Sequence, residues 1–153
     1  MKQEKETLRF ALQKVEVLSV LEQGRPRTQA KVVLARGDQR FTGRVFVPPD
    51  DEEMLRSIAL ATIEALRVAL PEGACFFLKS VTKMYPKFLA DPIFVVLLSC
   101  HYEDLDLDLT GACISSEEKV ALGVANATLD ATNRMVSFLL DSIMTMDDGI
   151  NDF

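Results

Sequence analysis

Histidine occurs once, as His101, and the three cysteines, Cys75, Cys100 and Cys113, are scattered. An odd number of cysteines cannot all pair, and none sits in a C-x-x-C. The ligand spacing of a zinc site is missing. Each cysteine lies in or beside an apolar run, so the three read as buried, reduced thiols acting as small hydrophobes. Cys100 and His101 are neighbours in a strand-like run and point to opposite faces, so they cannot form a nucleophile–base pair. A Gly-rich phosphate loop, a serine elbow and a His–carboxylate pair are all lacking. No cofactor signature is present, and an enzyme ranks behind non-enzymatic classes. The longest apolar runs, such as Ile93–Leu98, fall far short of the roughly 20 residues that span a bilayer. Met1–Glu6 has mixed charge and no apolar run after it, unlike a secretory signal. The expectation is a cytoplasmic protein with no membrane contact.

The 153 residues suit one domain, or two small units around a shared core. The net charge of −6 is unevenly spread. Residues 1–50 carry +4, residues 51–100 carry −1 and residues 101–153 carry −9. An acidic total argues against nucleic acid as a partner. Opposite signs in the two halves suggest attraction between them, within one molecule or across a symmetric dimer.

One pattern occurs twice. Residues 41–66 and 109–132 each hold Thr-Gly in a strand-like run, an acidic helix start and Ala-Thr-aliphatic-acid-Ala. The Thr-Gly pairs, Thr42-Gly43 and Thr110-Gly111, are 68 apart, and the Ala-Thr pairs, Ala61-Thr62 and Ala127-Thr128, are 66 apart. The copies therefore differ by a two-residue indel between these marks. A repeat of this period fixes the architecture.

Period-2 patterning and β-branched residues predict strands over about 12–21, 28–36 and 40–47, with a turn at Gln23–Arg27 and another at Gly37–Gln39. In the third strand Phe41, Gly43, Val45 and Val47 share one face, opposite Arg40, Thr42, Arg44 and Phe46. A helix follows from about 51 to 70, with Asp50 and Glu53 at capping-box spacing and Pro71-Glu72-Gly73 as the stop. Its apolar stripe is wide enough to be buried against a sheet and a neighbouring helix. The second copy has strands over 74–85, 93–102 and 105–114. Ser115 and Glu118 make a second capping box before a helix over about 116–144. The 93–102 strand is nearly all apolar, as expected when one face is core and the other is covered or meets an interface. Met54, Met84, Met135, Met144 and Met146 read as gap-fillers.

These signals predict an α+β fold of two tandem β-β-β-α units, an antiparallel sheet with both helices packed on one face. The expected division is an N-terminal extension over 1–11, a first unit over 12–72, a second over 73–145 sharing its core, and a loose acidic tail over 146–153.

Tandem β-β-β-α units of this length resemble the C-terminal regulatory domain of 2-isopropylmalate synthase, which binds leucine. The residues that carry the resemblance are Ser80-Val81-Thr82 in a strand and the run from Ala127 to Met135, which includes Ala131-Thr132-Asn133-Arg134, in the last helix. Its element order spans about residues 12–140. The family's Gly-rich loop before each helix is replaced here by Pro48-Pro49-Asp50 and Ser115-Ser116. These 153 residues hold no counterpart of the catalytic barrel. Leucine binding is carried over to no residue, and the resemblance implies a sensor-like or dimerisation module.

Three groups of residues are candidates for contact. Arg25, Arg27, Lys31, Arg36, Arg40 and Arg44 face only Asp38, so residues 24–44 carry +5. They read as solvated strands that deter edge pairing, or as a contact for an acidic protein face or a small anionic ligand. No aromatic residues interleave with the bases as a single-stranded nucleic-acid site would need. Asp104, Asp106 and Asp108 begin like a calcium loop, but Leu109 replaces the glycine at position six and Ser115 the glutamate at position twelve. They read as a solvated or partner-paired acidic face. Thr42, Gly43, Thr110 and Gly111 mark a bulge, a close helix approach or a pocket near the repeat turns.

Two function classes follow. One is a non-enzymatic interaction or assembly module, homodimeric, with a basic first repeat and an acidic second. The other is a small-molecule sensor with a pocket between the repeats. A pocket with convergent polar groups favours the sensor, and a flat apolar face rimmed by charge favours the module.

Overall fold

A computed structural model describes residues 9–48, 51–70 and 72–151, and the side chains of these except 51–52 and 142–151. Asp50, Pro71, most of the N-terminal extension and the end of the tail lie outside the described residues. The strands are β1 (Ala11–Glu22), β2 (Arg25–Arg36), β3 (Gln39–Val47), β4 (Cys75–Met84), β5 (Ile93–Tyr102) and β6 (Leu105–Ile114). Helix α1 (Asp51–Ala69) follows β3, and a short 3₁₀ turn (Glu117–Lys119) leads into α2 (Val120–Asn151). The order is β-β-β-α twice, an α+β fold with an internal repeat.

The strands form two antiparallel three-stranded sheets, β1-β2-β3 and β4-β5-β6, rather than one. Helix α1 packs on β3 and β2, and α2 packs on β6 and β5. Neither helix fully covers its own sheet. The contacts then cross: α2 reaches β1, α1 reaches β4, and the helices pack on each other. One hydrophobic cluster therefore runs through both units, from Phe10, Val32 and Leu34 through Ile58 and Leu66 to Phe94, Leu98 and Leu139. Each helix is buried on more than one side, as its wide apolar stripe requires.

The register shows why the Thr-Gly pairs repeat. Val15, Val32 and Gly43 form one row across the first sheet, and Val81, Val96 and Gly111 form its counterpart in the second. Both glycines are buried under a helix. The strand bulges are repeated too, between Leu12 and Lys14 and between Leu78 and Ser80. Where the repeats differ, sizes compensate. Ala30 and Ser57 of the first unit correspond to Phe94 and Gly123 of the second. A Cβ on Gly123 would lie 2.6 Å from the Phe94 ring, so the larger strand residue takes the room the helix gives up.

Several boundaries differ from the sequence pattern. The first turn is only Gln23-Gly24, both at positive φ, as in a two-residue hairpin. Pro26 lies inside β2, paired with Leu21. It is tolerated because β3 ends at Val47, opposite Thr28, leaving β2 a neighbour on one side only there. Phe10, placed in the extension, is buried and stacks edge-on against Phe41 at 5.5 Å. The second capping box does not form. Ser116 makes no side-chain cap, and Ser115 Oγ instead donates to the Lys119 carbonyl at 2.9 Å. The tail expected to be loose from 146 continues α2 to Asn151. No helix among the described residues is long and apolar enough to cross a membrane.

Candidate functional site

Gly43 and Gly111 line none of three cavities among the described residues, one of them at the end of the first sheet between Pro26–Thr28 and Phe46–Pro48. A Cβ on Gly43 would lie 2.0 Å from the Ala61 carbonyl oxygen and 2.5 Å from the Ala65 nitrogen. On Gly111 it would lie 2.1 Å from the Ala127 oxygen and 2.2 Å from the Ala131 nitrogen. The pocket reading of these turns is corrected to a close helix approach, because helix backbone fills the space. Thr42 and Thr110 alternate with them and take the opposite, outer faces of their sheets.

The six basic residues of the first repeat do not converge. Arg27 pairs with Glu22 at 2.6 Å and lies over the Phe46 ring at 4.3 Å. Lys31 and Arg44 face each other mid-sheet, with Glu16 on the other side of Lys31. Arg40 donates to the carbonyls of Gly37 and Gln39, each at 3.0 Å. Arg36 lies over Phe10 at 5.9 Å, and Arg25 is exposed at the start of β2. Lys31, Arg40 and Arg44 share the outer face of the first sheet.

The acidic run also divides. Asp104 sits in the β5–β6 turn, Asp106 lies 3.3 Å from His101 Nδ1, and Asp108 pairs with Lys79 at 2.7 Å. Asp106, Asp108, His101 and Lys79, with Ser99 but without Asp104, line a small cavity of about 360 Å³ on the outer face of the second sheet. Among the described residues, no group of three or more His, Cys, Asp or Glu is placed to hold a metal. Cys100 is buried and Cys113 half-buried, and burial pushes both thiols up. Cys75 is exposed, contrary to the reading of three buried thiols, because it opens β4 on the outer face.

The largest of the three cavities lies elsewhere, at the junction of the repeats. It is an open cleft of about 830 Å³ lined by Glu53–Arg56 of α1, Lys79–Lys83 of β4 and Val120 of α2. It exists because α1 crosses from its own sheet to β4. The β4 bulge forms part of its wall, and the Leu78 carbonyl there accepts from Arg56 Nη2 at 3.3 Å. Arg56 and Lys83, with Lys79 on the border shared with the outer-face cavity, meet Met54, Leu55, Val81 and Val120. Outside the lining, Glu117 accepts from Lys83 and from the Tyr85 hydroxyl, each at 2.5 Å. The Glu117 hydrogen bond, then that of Tyr85, raises the Lys83 pKa, and the hydrogen bonds of Lys83, then Tyr85, lower that of Glu117. Sequence reading expected a pocket between the repeats but assigned to it none of the residues that line this cleft. Its cations come from two elements, Arg56 from α1 and Lys79 and Lys83 from β4, and none belongs to the basic stretch over 24–44.

No family model matches the chain, and no curated protein matches it.

Proposed function

We propose that the chain is a non-enzymatic regulatory module that binds a small molecule in the cleft between its repeats. The observation that carries this reading is the cleft's position. Its walls come from the helix of the first unit, the first strand of the second, and the start of the second helix. A ligand held there touches both units, so its binding depends on how they are set against each other. A cavity with a few convergent polar groups on an apolar floor is the usual form of a small-molecule site. Its ionisable groups are three cations and one carboxylate, a set suited to holding charge rather than to passing protons. The resemblance to a regulatory domain supports the same class. Titration of the isotope-labelled protein with a set of small metabolites, read by amide NMR shifts, tests it. Shifts clustered over 53–56 and 79–83 are expected, and a set that moves none of these amides overturns the reading.

A second reading, homodimeric assembly, rests on the outer face of the second sheet. Met84, Ile93 and Ile114 form one row there, with Val95 and Leu97 beside it. The β4–β5 connection adds Tyr85 and Phe88, the latter 96% exposed. A monomer in light scattering at both low and high salt would exclude it.

A further inference from the structure

The two repeats supply an internal control for what the fold itself needs around the cleft. The bulges after Leu12 and Leu78, and the Ala-Thr pairs at 61 and 127, are both 66 residues apart. That offset maps Arg56 onto Leu122, Lys79 onto Gln13 and Lys83 onto Val17. The crossing of α2 onto β1, which mirrors α1 on β4, is thus built with a leucine, a glutamine and a valine at these positions. The cations are additions that packing does not demand. In the other direction, Glu53, Ser80 and Thr82 map onto Lys119, Lys14 and Glu16. Lys14 and Glu16 satisfy each other at 2.5 Å. The two sides are therefore not electrically alike: the cleft lining sums to +2 and its counterpart to +1.

We propose that the cleft takes a small organic dianion, two negative groups on a short apolar body, held by Arg56, Lys79 and Lys83. This rests on the small-molecule reading above and adds the ligand's charge and shape. Arg56 is the fixed anchor. Its bond to the Leu78 carbonyl sets the guanidinium, and an arginine has five N–H donors, so others remain for an anionic acceptor. Lys79 and Lys83 are held by Asp108 and Glu117, whose side chains are 60% and 54% exposed. Exposed ion pairs contribute little, so a ligand oxygen can replace the carboxylate at either lysine. Met54, Leu55, Val81 and Val120 form the apolar floor that a bare inorganic ion would leave wet. A zwitterion suits the lining less, since Glu53 is the one carboxylate there to receive an ammonium.

The probes are glutarate, its neutral isostere glutaramide, and inorganic phosphate, at constant ionic strength, with affinity read from the amide shifts of 53–56 and 79–83. Glutarate is expected to bind at least tenfold more tightly than either of the other two. The triple variant R56L/K79Q/K83V borrows the side chains of the other repeat and should weaken glutarate binding at least tenfold while keeping the native circular dichroism. If that variant does not fold, the single Arg56→Leu is judged on the same affinity readout. Arg67→Gln, an exposed cation of α1 outside the cleft, should leave the affinity unchanged. Equal binding of glutaramide and glutarate overturns the dianion and leaves the small-molecule reading standing. Phosphate binding as tightly as glutarate overturns the role of the apolar floor. If no cleft amide moves with any of the three probes, the dianion is overturned, while the wider metabolite set decides the small-molecule reading separately.

Discussion

Gly111 lies directly beneath Ala127, close enough that a Cβ on the glycine would be 2.1 Å from the alanine's carbonyl oxygen. Gly43 and Ala61 repeat the relationship at 2.0 Å. The obstruction is backbone, which cannot rotate away as a side chain can. Gly43→Ala or Gly111→Ala must lift a helix off its sheet, and each should cost about 3 kcal/mol or more, at the upper end of overpacking penalties. Gly24→Ala is the control. Gly24 meets nothing within 4 Å but sits at φ +77°, so it should cost only about 1–2 kcal/mol. Urea unfolding of the three variants checks the order.

The same glycines show what the sequence could reveal. A Thr-Gly repeated at the same place before an Ala-Thr helix marks a local packing constraint, and alternation along each strand marks its buried face. Both survive in the linear text, so six strands, two helices and the repeat were legible. What was not legible came from tertiary placement. Arg56 meets Lys79 and Lys83 only because α1 crosses to the other unit's first strand, and no local period encodes that crossing. The split into two sheets was hidden for the same reason, since one helix per unit is compatible with either arrangement. Ser115 and Glu118 have capping-box spacing, yet a 3₁₀ turn over Glu117–Lys119 takes the first turn and moves the start of α2 to Val120.

Lys83, Tyr85 and Glu117 tie the end of β4 to the approach of α2, and their pKa directions give a pH signature. The Glu117 carboxyl is lowered from its usual 4.5, chiefly by the Lys83 hydrogen bond. The stability it adds is fully present above the unfolded value and is lost as pH falls through the folded one. The Lys83 ammonium is raised from 10.5, chiefly by Glu117. Its contribution is full below the unfolded value and lost as pH rises through the folded one. Glu117→Gln should therefore be less stable than the parent across neutral pH, with the difference shrinking below about pH 4.5 and again above about pH 10.5. Thermal unfolding of both proteins across pH measures it. A difference that is constant at all pH values would mean that the pair is not formed in solution.

The cysteines should react in order of exposure. Cys75 is exposed, Cys113 half-buried and Cys100 buried, and burial raises the latter two thiols, reducing their thiolate at a given pH. Because the thiolate is the reactive form, iodoacetamide should label Cys75 first, Cys113 more slowly, and Cys100 only as the protein unfolds. Mass spectrometry of peptides from a timed reaction reads this directly. Labelling of Cys100 as fast as Cys75 under native conditions would mean that the second sheet opens readily.

Assembly can be separated from ligand binding by where a mutation falls. Ile114 ends β6 on the outer face of the second sheet and is 56% exposed, and Phe88 is almost wholly exposed. Neither lines the cleft. Replacing either by a polar residue removes little from the core, so Ile114→Lys and Phe88→Ser should fold with stability within about 0.5 kcal/mol of the parent. If a second copy covers this face, both variants should shift light-scattering mass from dimer to monomer, and high salt alone should leave the parent dimer intact. If the basic outer face of the first sheet pairs instead with Asp106 and Asp108, these variants stay dimeric. The parent then dissociates at high salt, where the screening length falls to about 3 Å at about 1 M. In that case Arg44→Glu, on the face shared by Lys31 and Arg40, should dissociate the parent at low salt as well.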